Sequence, residues 1–243
     1  YVKQFNEAPL LQKSGAKQYE SGPFEPYPHA AYAAMVARLD KYVGEIKATL
    51  IKQGMDENTL FIFTSDNGPH TEGGNDPEFF NSNSIYRGKK RDLYEGGIHI
   101  PFIASCKGKI QPNSISNHIS AIWDLFPTFL EVASIKQQIS TDGISILPSF
   151  LHKTKQQKQH EYLYWEFHEE GGKQAVRWGK WKGVQLKVSI SNDSPIELYD
   201  IEKDPSEQNN IAAANPDIVQ QIALFIKQAH TPNKDWPLLK NEK

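Results

Sequence analysis

The chain has 243 residues, and its 27 basic and 29 acidic side chains leave a net charge of −2. This balance gives no sign of the sequence-independent attraction to nucleic acid that a strongly basic protein has. A single cysteine, Cys106, excludes a disulfide within the chain and a site built from several cysteines. We therefore expect no nucleic-acid partner from the charge balance. No apolar run approaches the roughly 20 residues of a membrane-spanning helix, so we also expect no membrane span.

The first half of the chain predicts an α/β sheet with helices. Residues 1–28 are rich in Gly, Pro, Gln and Glu and predict a loop that packs on another element. Apolar residues then recur every three or four positions over 32–50, which predicts an amphipathic helix ending near residue 54. Residues 59–64 form a continuous apolar run, typical of a strand buried on both faces of a parallel sheet.

A long polar segment follows this strand. Residues 65–97 are rich in Gly, Asn, Asp and charged side chains, and loops of this length inside a domain are usually functional or disordered. The segment begins at the carboxyl end of a strand, where α/β sheets bind ligands. A second strand is predicted over 98–104, and a helix disturbed by Pro127 over 119–134.

The pattern changes after about residue 150, so we divide the chain into 1–150 and 151–243. Residues 153–160 predict a polar linker. Four short apolar runs separated by Gly or Asp turns predict a small antiparallel sheet, and a closing helix follows over 217–230. The predicted strands are 162–167, 174–178, 181–188 and 196–199.

Two polar motifs lie in the long segment. Asp66 and Asn67 offer a carboxylate and an amide oxygen, the ligand types of Ca²⁺ and Mg²⁺. Asp-Asn-Gly is also ordinary turn chemistry, and this reading is the stronger one for the segment taken alone. Further on, Arg87, Lys89, Lys90 and Arg91 stand beside glycines, where cations can hold an oxyanion or simply line a solvated loop.

Together the two motifs resemble those of the formylglycine-dependent (type I) sulfatases of the alkaline-phosphatase superfamily. The motifs are Ser-Asp-Asn-Gly-Pro-His at 65–70 and Arg-Gly-Lys-Lys-Arg-Asp-Leu-Tyr-Glu-Gly-Gly-Ile at 87–98. Segments 30–36, 118–128 and 197–205 also resemble the family, so the resemblance covers about residues 28–212. It implies part of a mixed or parallel sheet sandwiched by helices, plus a small C-terminal antiparallel sheet with a helix.

The resemblance also implies roles for individual residues. Asp66 and Asn67 match the pair that helps to bind the catalytic Ca²⁺, with Mg²⁺ as the less favoured ion. Lys90, four residues before Tyr94, matches the lysine that contacts the sulfate ester, and we assign His70 to catalysis beside it.

Three further residues are assigned to substrate binding. Glu72 lies in the stretch that varies in the family and often faces substrate, and Arg87 opens the basic motif. His168 lies in a polar loop, residues 168–172, that we expect to reach toward the site and shape substrate choice. The implied substrate is a sulfated glycan or an aryl sulfate.

One departure from the family pattern decides how the chain is interpreted. The family nucleophile is a formylglycine made from Cys or Ser in a Cys/Ser-x-Pro/Ala-x-Arg motif, whereas Cys106 is followed by Lys-Gly-Lys. The chain therefore resembles the C-terminal half of a sulfatase, and we expect the formylglycine in a missing N-terminal half. This chain alone is then inactive, and the family implies a secreted or periplasmic protein, although its first residues lack a signal-peptide pattern.

Two alternatives remain at this point. A phosphodiesterase or phosphonate hydrolase of the same superfamily would share the sheet and the metal-binding Asp. A non-catalytic relative or binding fragment would have lost the nucleophile altogether.

Overall fold

The computed structural model describes residues 1–10, 25–136, 139–191 and 193–242. Within them the fold is a mixed α/β arrangement, as the resemblance implies, with two antiparallel sheets. None of the helices in these ranges is long and apolar enough to cross a bilayer. The division of the chain near residue 150 stays a prediction. The helices are α1 Val2–Phe5, α2 Pro28–Lys52, α3 Glu95–Ile98, α4 Leu125–Val132, α5 Leu147–Phe150 and α6 Pro216–Ala229, and the strands are β1 Phe61–Thr64, β2 Phe102–Ser105, β3 Leu163–Phe167, β4 Lys173–Trp178, β5 Trp181–Leu186 and β6 Ile196–Asp200.

The predicted amphipathic helix is α2, which begins at Pro28. Proline suits the first turn of a helix because the amide hydrogen that it lacks has no partner there. Glu7 accepts the amide hydrogens of His29 and Ala30 at 3.0 and 2.9 Å. These bonds satisfy free donors of the first turn and hold the N-terminal residues against the helix, as predicted. Val2–Phe5 form the short helix α1 where a loop was predicted, and residues 11–24 of the predicted loop lie outside the described residues.

The first sheet corrects a prediction. The apolar run was expected in a parallel sheet with both faces covered, but β1 pairs antiparallel with β2 and is only half-buried. An apolar run indicates burial and says nothing about the direction of the neighbouring strand. Among the described residues the sheet has these two strands, and β2 starts at Phe102 because residues 95–98 form α3 and Pro101 lacks an amide hydrogen.

The helix expected over 119–134 is shorter. Residues 122–124 form a 3₁₀ turn and α4 begins at Leu125, so Pro127 lies in its first turn and does not disturb it. The buried Asp124 shapes this start, because its carboxylate accepts the amide hydrogens of Ala121 and Ile144, both at 2.8 Å.

The second sheet confirms the predicted small antiparallel sheet, with the order β3-β4-β5-β6. Side chains alternate between its two faces, as the pleat requires. Val176 and Leu198 pack under α6 on one face, whereas Ala175, Val184 and Tyr199 pack on the other face against the segment that contains the basic motif. The C-terminal sheet therefore packs between α6 and the segment that contains the basic motif.

Candidate functional site

The two motifs lie against each other through backbone hydrogen bonds. We call residues 65–72 the acidic turn and residues 87–97 the basic loop. The amide of Lys90 donates to the carbonyl of Pro69 at 2.8 Å, and that of Gly68 donates to the carbonyl of Gly97 at 2.9 Å. A Cβ atom at Gly68 would overlap the carbonyl oxygen of Gly96, so only glycine permits this approach. The acidic turn and the basic loop thus form one candidate site.

An ion-pair cluster lies at the contact between them. Nζ of Lys90 is 3.0 Å from the carboxylate of Glu72, and a guanidinium nitrogen of Arg91 is 3.2 Å from the same group. The hydrogen bond from Lys90 lowers the pKa of Glu72, and the charge of Arg91 adds to the effect. The side chains of Lys90 and Glu72 are each about one-third exposed, so the ion pair is partly open to solvent. Arg91 was not assigned from the sequence, since nothing in the run of cations distinguishes it from Lys89.

His70 is held on the acidic turn by its own neighbours. Its Nδ1 accepts the amide hydrogen of Glu72 at 3.1 Å, so we infer that Nε2 carries the proton of the neutral ring. Asn75, which is buried, donates to the carbonyl of His70 at 2.8 Å. The ring of His70 lies 6.4 Å from the ring of Tyr32 of α2, between the helix and the ion-pair cluster.

Asp66 and Asn67 lie where β1 ends. Asp66 is exposed, and within the described ranges no hydrogen bond or ion pair engages its carboxylate. Asn67 donates its amide hydrogen to the carbonyl of Gly68 at 2.8 Å, which leaves Oδ1 as an acceptor. Two hard oxygens side by side fit Ca²⁺, although the ion takes 6–8. In the described part of the chain no group of three or more His, Cys, Asp or Glu residues is arranged to hold a metal ion, so this turn can provide only part of a coordination sphere.

Arg87 is held by contacts with the C-terminal sheet and the segment that follows it. A terminal guanidinium nitrogen donates to the hydroxyl of Tyr199 at 3.1 Å and to the carbonyl of Glu207 at 2.9 Å. Its guanidinium carbon also lies 3.9 Å from the ring centre of Tyr94. These contacts attach the basic loop to the C-terminal sheet, and the role of Arg87 in substrate binding stays a prediction.

The loop that carries His168 does reach the basic loop, through its neighbours. Glu169 lies 3.3 Å from the guanidinium of Arg91, and Nζ of Lys173 donates to the carbonyl of Arg91 at 2.9 Å. The ring of His168 lies 5.7 Å from that of Trp236, and its Nε2 is 3.2 Å from the Trp236 carbonyl. The role of His168 in substrate choice stays a prediction.

Buried charged groups join the basic loop to the sheet beneath it. The side chain of Lys182 is 0% exposed and donates to Glu95 at 2.8 Å, and Glu207 accepts the Glu95 amide at 2.6 Å. Burial opposes the charge of Glu95, but the positive charge of Lys182 and a bond to His99 hold its pKa well below the usual value. Burial also raises the pKa of Glu207 to about 7 against the pull of Lys182. The sequence carried no signal for these partners.

Comparisons with known proteins agree with the motifs. The sulfatase family model matches residues 4–135, and the C-terminal model of N-sulphoglucosamine sulphohydrolase matches residues 86–231. The chain belongs to the sulfatase family.

Named sulfatases are similar to it over most of its length. An N-acetylgalactosamine-6-O-sulfatase of Bacteroides thetaiotaomicron is 31% identical over 81% of this chain and 41% of its own. Human arylsulfatase A is 30% identical over 76% of this chain and 40% of its own. The solved structure of Ps i-CgsB with a neocarrahexaose is 27% identical, with a TM-score of 0.68 over 81% of this chain and 42% of its own. The chain therefore spans about two-fifths of the length of these relatives.

Proposed function

We propose that this chain is the C-terminal part of a sulfatase that hydrolyses a sulfate ester. The observation that supports this most is the position of Lys90, whose amide is bound to the acidic turn while its side chain stays about one-third exposed. The same turn carries Asp66, whose carboxylate has no partner among the described residues. A site of this kind can hold a sulfate oxygen and a divalent cation together.

The chemistry that these residues supply is electrostatic. Nζ of Lys90 exchanges its bond to Glu72 for a sulfate oxygen and stabilises the negative charge that builds as the ester breaks. In the absence of substrate, Glu72 holds the amino group in place through this hydrogen bond. His70 has its Nδ1 fixed by the turn, so its Nε2 is the nitrogen available to exchange a proton with substrate.

Asp66 and Asn67 would hold Ca²⁺, with Mg²⁺ less suited because it demands stricter geometry. When bound, the ion supplies positive charge to the sulfate group. The remaining ligands and the formylglycine nucleophile are expected in an N-terminal half of the same enzyme, so this chain alone has no turnover.

The substrate class that we propose is a sulfated glycan, with aryl sulfates as simpler substrates. The similar proteins support this choice: one is named for N-acetylgalactosamine 6-O-sulfate, another structure contains a neocarrahexaose, and a third relative is an arylsulfatase. A glycan substrate agrees with the secreted or periplasmic location that the family implies, which we also propose.

The N-terminal half is also the proposed partner of the exposed apolar faces. Apolar side chains of α2, β2 and α4 lie open to solvent; they include Met35, Leu39, Ile46, Ile103, Phe126 and Phe129. Large apolar side chains exposed in this number are typical of surfaces that another segment covers. The relatives are more than twice as long as the matched region, which leaves enough chain to cover them.

The rates of the full-length enzyme on two aryl esters test this function. We expect hydrolysis of an aryl sulfate to exceed that of the matching aryl phosphodiester. The reverse preference would favour the phosphodiesterase alternative, and activity on neither ester would favour a non-catalytic relative.

A further inference from the structure

One lysine is completely buried between the basic loop and the C-terminal sheet. Lys182 lies in β5, and its Nζ is 2.8 Å from Oε1 of Glu95 and 3.9 Å from Oε1 of Glu207. An ammonium group loses much hydration on burial, and an apolar side chain of similar size would avoid this loss. Because burial of this charge is costly, we look for its role in the ion pair that it forms with Glu95.

That partner belongs to the basic loop. Glu95 is the first residue of α3 and lies five residues after Lys90. Its amide donates to the carboxylate of Glu207, so both the backbone and the side chain of Glu95 are held by residues 151–243. The other carboxylate oxygen lies 3.2 Å from His99 and 3.9 Å from Arg177 of β4, which complete its charged surroundings.

Of the four intervening residues, Tyr94 and Arg91 are also attached to the sheet. Tyr94 donates its hydroxyl hydrogen to Glu197 at 2.6 Å, and Lys173 donates to the carbonyl of Arg91 at 2.9 Å. Lys90 extends to the opposite side, toward Glu72. Glu95 and Lys90 are therefore joined by a short segment that is bound to the C-terminal sheet at one end and to the acidic turn at the other.

We propose that Lys182 is a positioning residue for Lys90. Its ion pair with Glu95 fixes the basic loop on the sheet and thereby sets where Nζ of Lys90 lies on the acidic turn. The importance of this for catalysis rests on the proposed function, whereas the position of Nζ can be measured without a sulfate ester.

The test follows Lys90 directly. Lysines of the full-length enzyme are reductively methylated with ¹³C, and the Lys90 resonance is assigned by its loss in Lys90→Arg. Hydrogen exchange of residues 87–97 is measured in parallel. In Lys182→Met we expect a shifted Lys90 resonance and about tenfold faster exchange in the basic loop, and Lys182→Arg restores the resonance toward its original position.

The matched control is a lysine of the turn between β4 and β5. Lys180 pairs with Asp200 at 2.9 Å and makes no described contact with the basic loop. Lys180→Met should leave both readouts unchanged.

A double variant, Glu95→Gln with Lys182→Met, guards against loss of folding because it leaves neither charge buried alone. We expect it to shift the Lys90 resonance and to speed exchange in the basic loop, with strands β3–β6 unaffected. An unchanged resonance, or faster exchange spread equally over the sheet, would overturn the proposal. Neither readout uses a sulfate ester, so failure of the sulfatase proposal would leave this result standing.

Discussion

Glu207 is a buried carboxyl group whose charge state responds to pH near neutrality. Its carboxylate is completely buried, with one oxygen on the Glu95 amide and the other 3.9 Å from Nζ of Lys182. Its folded pKa of about 7 stands above the ordinary value of 4.5. Between these two values the folded state binds more protons than the unfolded state, so stability falls as pH rises through this window.

Glu207→Gln should remove this part of the pH dependence. The amide oxygen of Gln can still accept the Glu95 amide hydrogen, and the side chain carries no charge to bury. We expect the free energy of unfolding of the original protein to fall relative to that of the variant, by up to about 1 kcal/mol per pH unit between pH 5 and 7. Denaturant titrations at several pH values measure the difference, and parallel curves for the two proteins would contradict it.

Some residues of the candidate site could be predicted from the sequence, and others could not. Asp66 and Lys90 lie in motifs whose order along the chain resembles a family pattern, so they were found from the sequence. Lys182 stands in an ordinary strand, and its partner is 87 positions away. Arg87 was assigned to substrate because a cation in a basic motif looks available. Its contacts with Tyr199 and Glu207 come from distant segments that local sequence does not reveal.

Among the elements, the contact between the acidic turn and the basic loop depends on glycine. The Gly68→Ala change would place a methyl group on the carbonyl oxygen of Gly96 and force the two segments apart. We expect a loss of about 2 kcal/mol or more in unfolding free energy, as for other overpacked sites.

Gly44→Ala is the matched control, because a Cβ there meets nothing within 4 Å and the residue lies inside α2. Alanine should stabilise this helix by up to about 1 kcal/mol. Chemical denaturation of the two variants measures both effects, and equal stabilities would show that the two segments are not tightly apposed.

The elements themselves were largely predictable from hydrophobic periodicity. Helix α2, strand β1 and the four strands of the C-terminal sheet are confirmed, with boundaries moved by a few residues. The parallel pairing predicted for β1 was wrong, because the direction of pairing depends on the connection between the strands. Here that connection is the long loop of the candidate site and its single turn of helix, α3.

At the scale of the whole molecule, the described surface is uneven. The C-terminal sheet is covered by α6 on one face and the basic loop on the other. The opposite part of the chain exposes apolar side chains on α2, β2 and α4, and the two strands β1 and β2 have no further neighbour among the described residues.

We therefore expect the 243-residue chain to self-associate or aggregate when purified alone. Unpaired strand edges and exposed apolar faces favour such contacts. Light scattering and thermal unfolding measure this, and co-expression with the N-terminal half should suppress it. A monomer that unfolds cooperatively by itself would show that the fold needs no such cover.

The central claim is that Lys90 stabilises charge on the sulfate group. Its most direct measurement is the kcat of the full-length enzyme on an aryl sulfate after Lys90→Ala, with Lys89→Ala as control. Lys89 is an exposed neighbour whose side chain makes no described contact at the site. We predict that Lys90→Ala lowers kcat by roughly 10²–10³ and that Lys89→Ala leaves it unchanged. An unchanged kcat in Lys90→Ala would contradict the account.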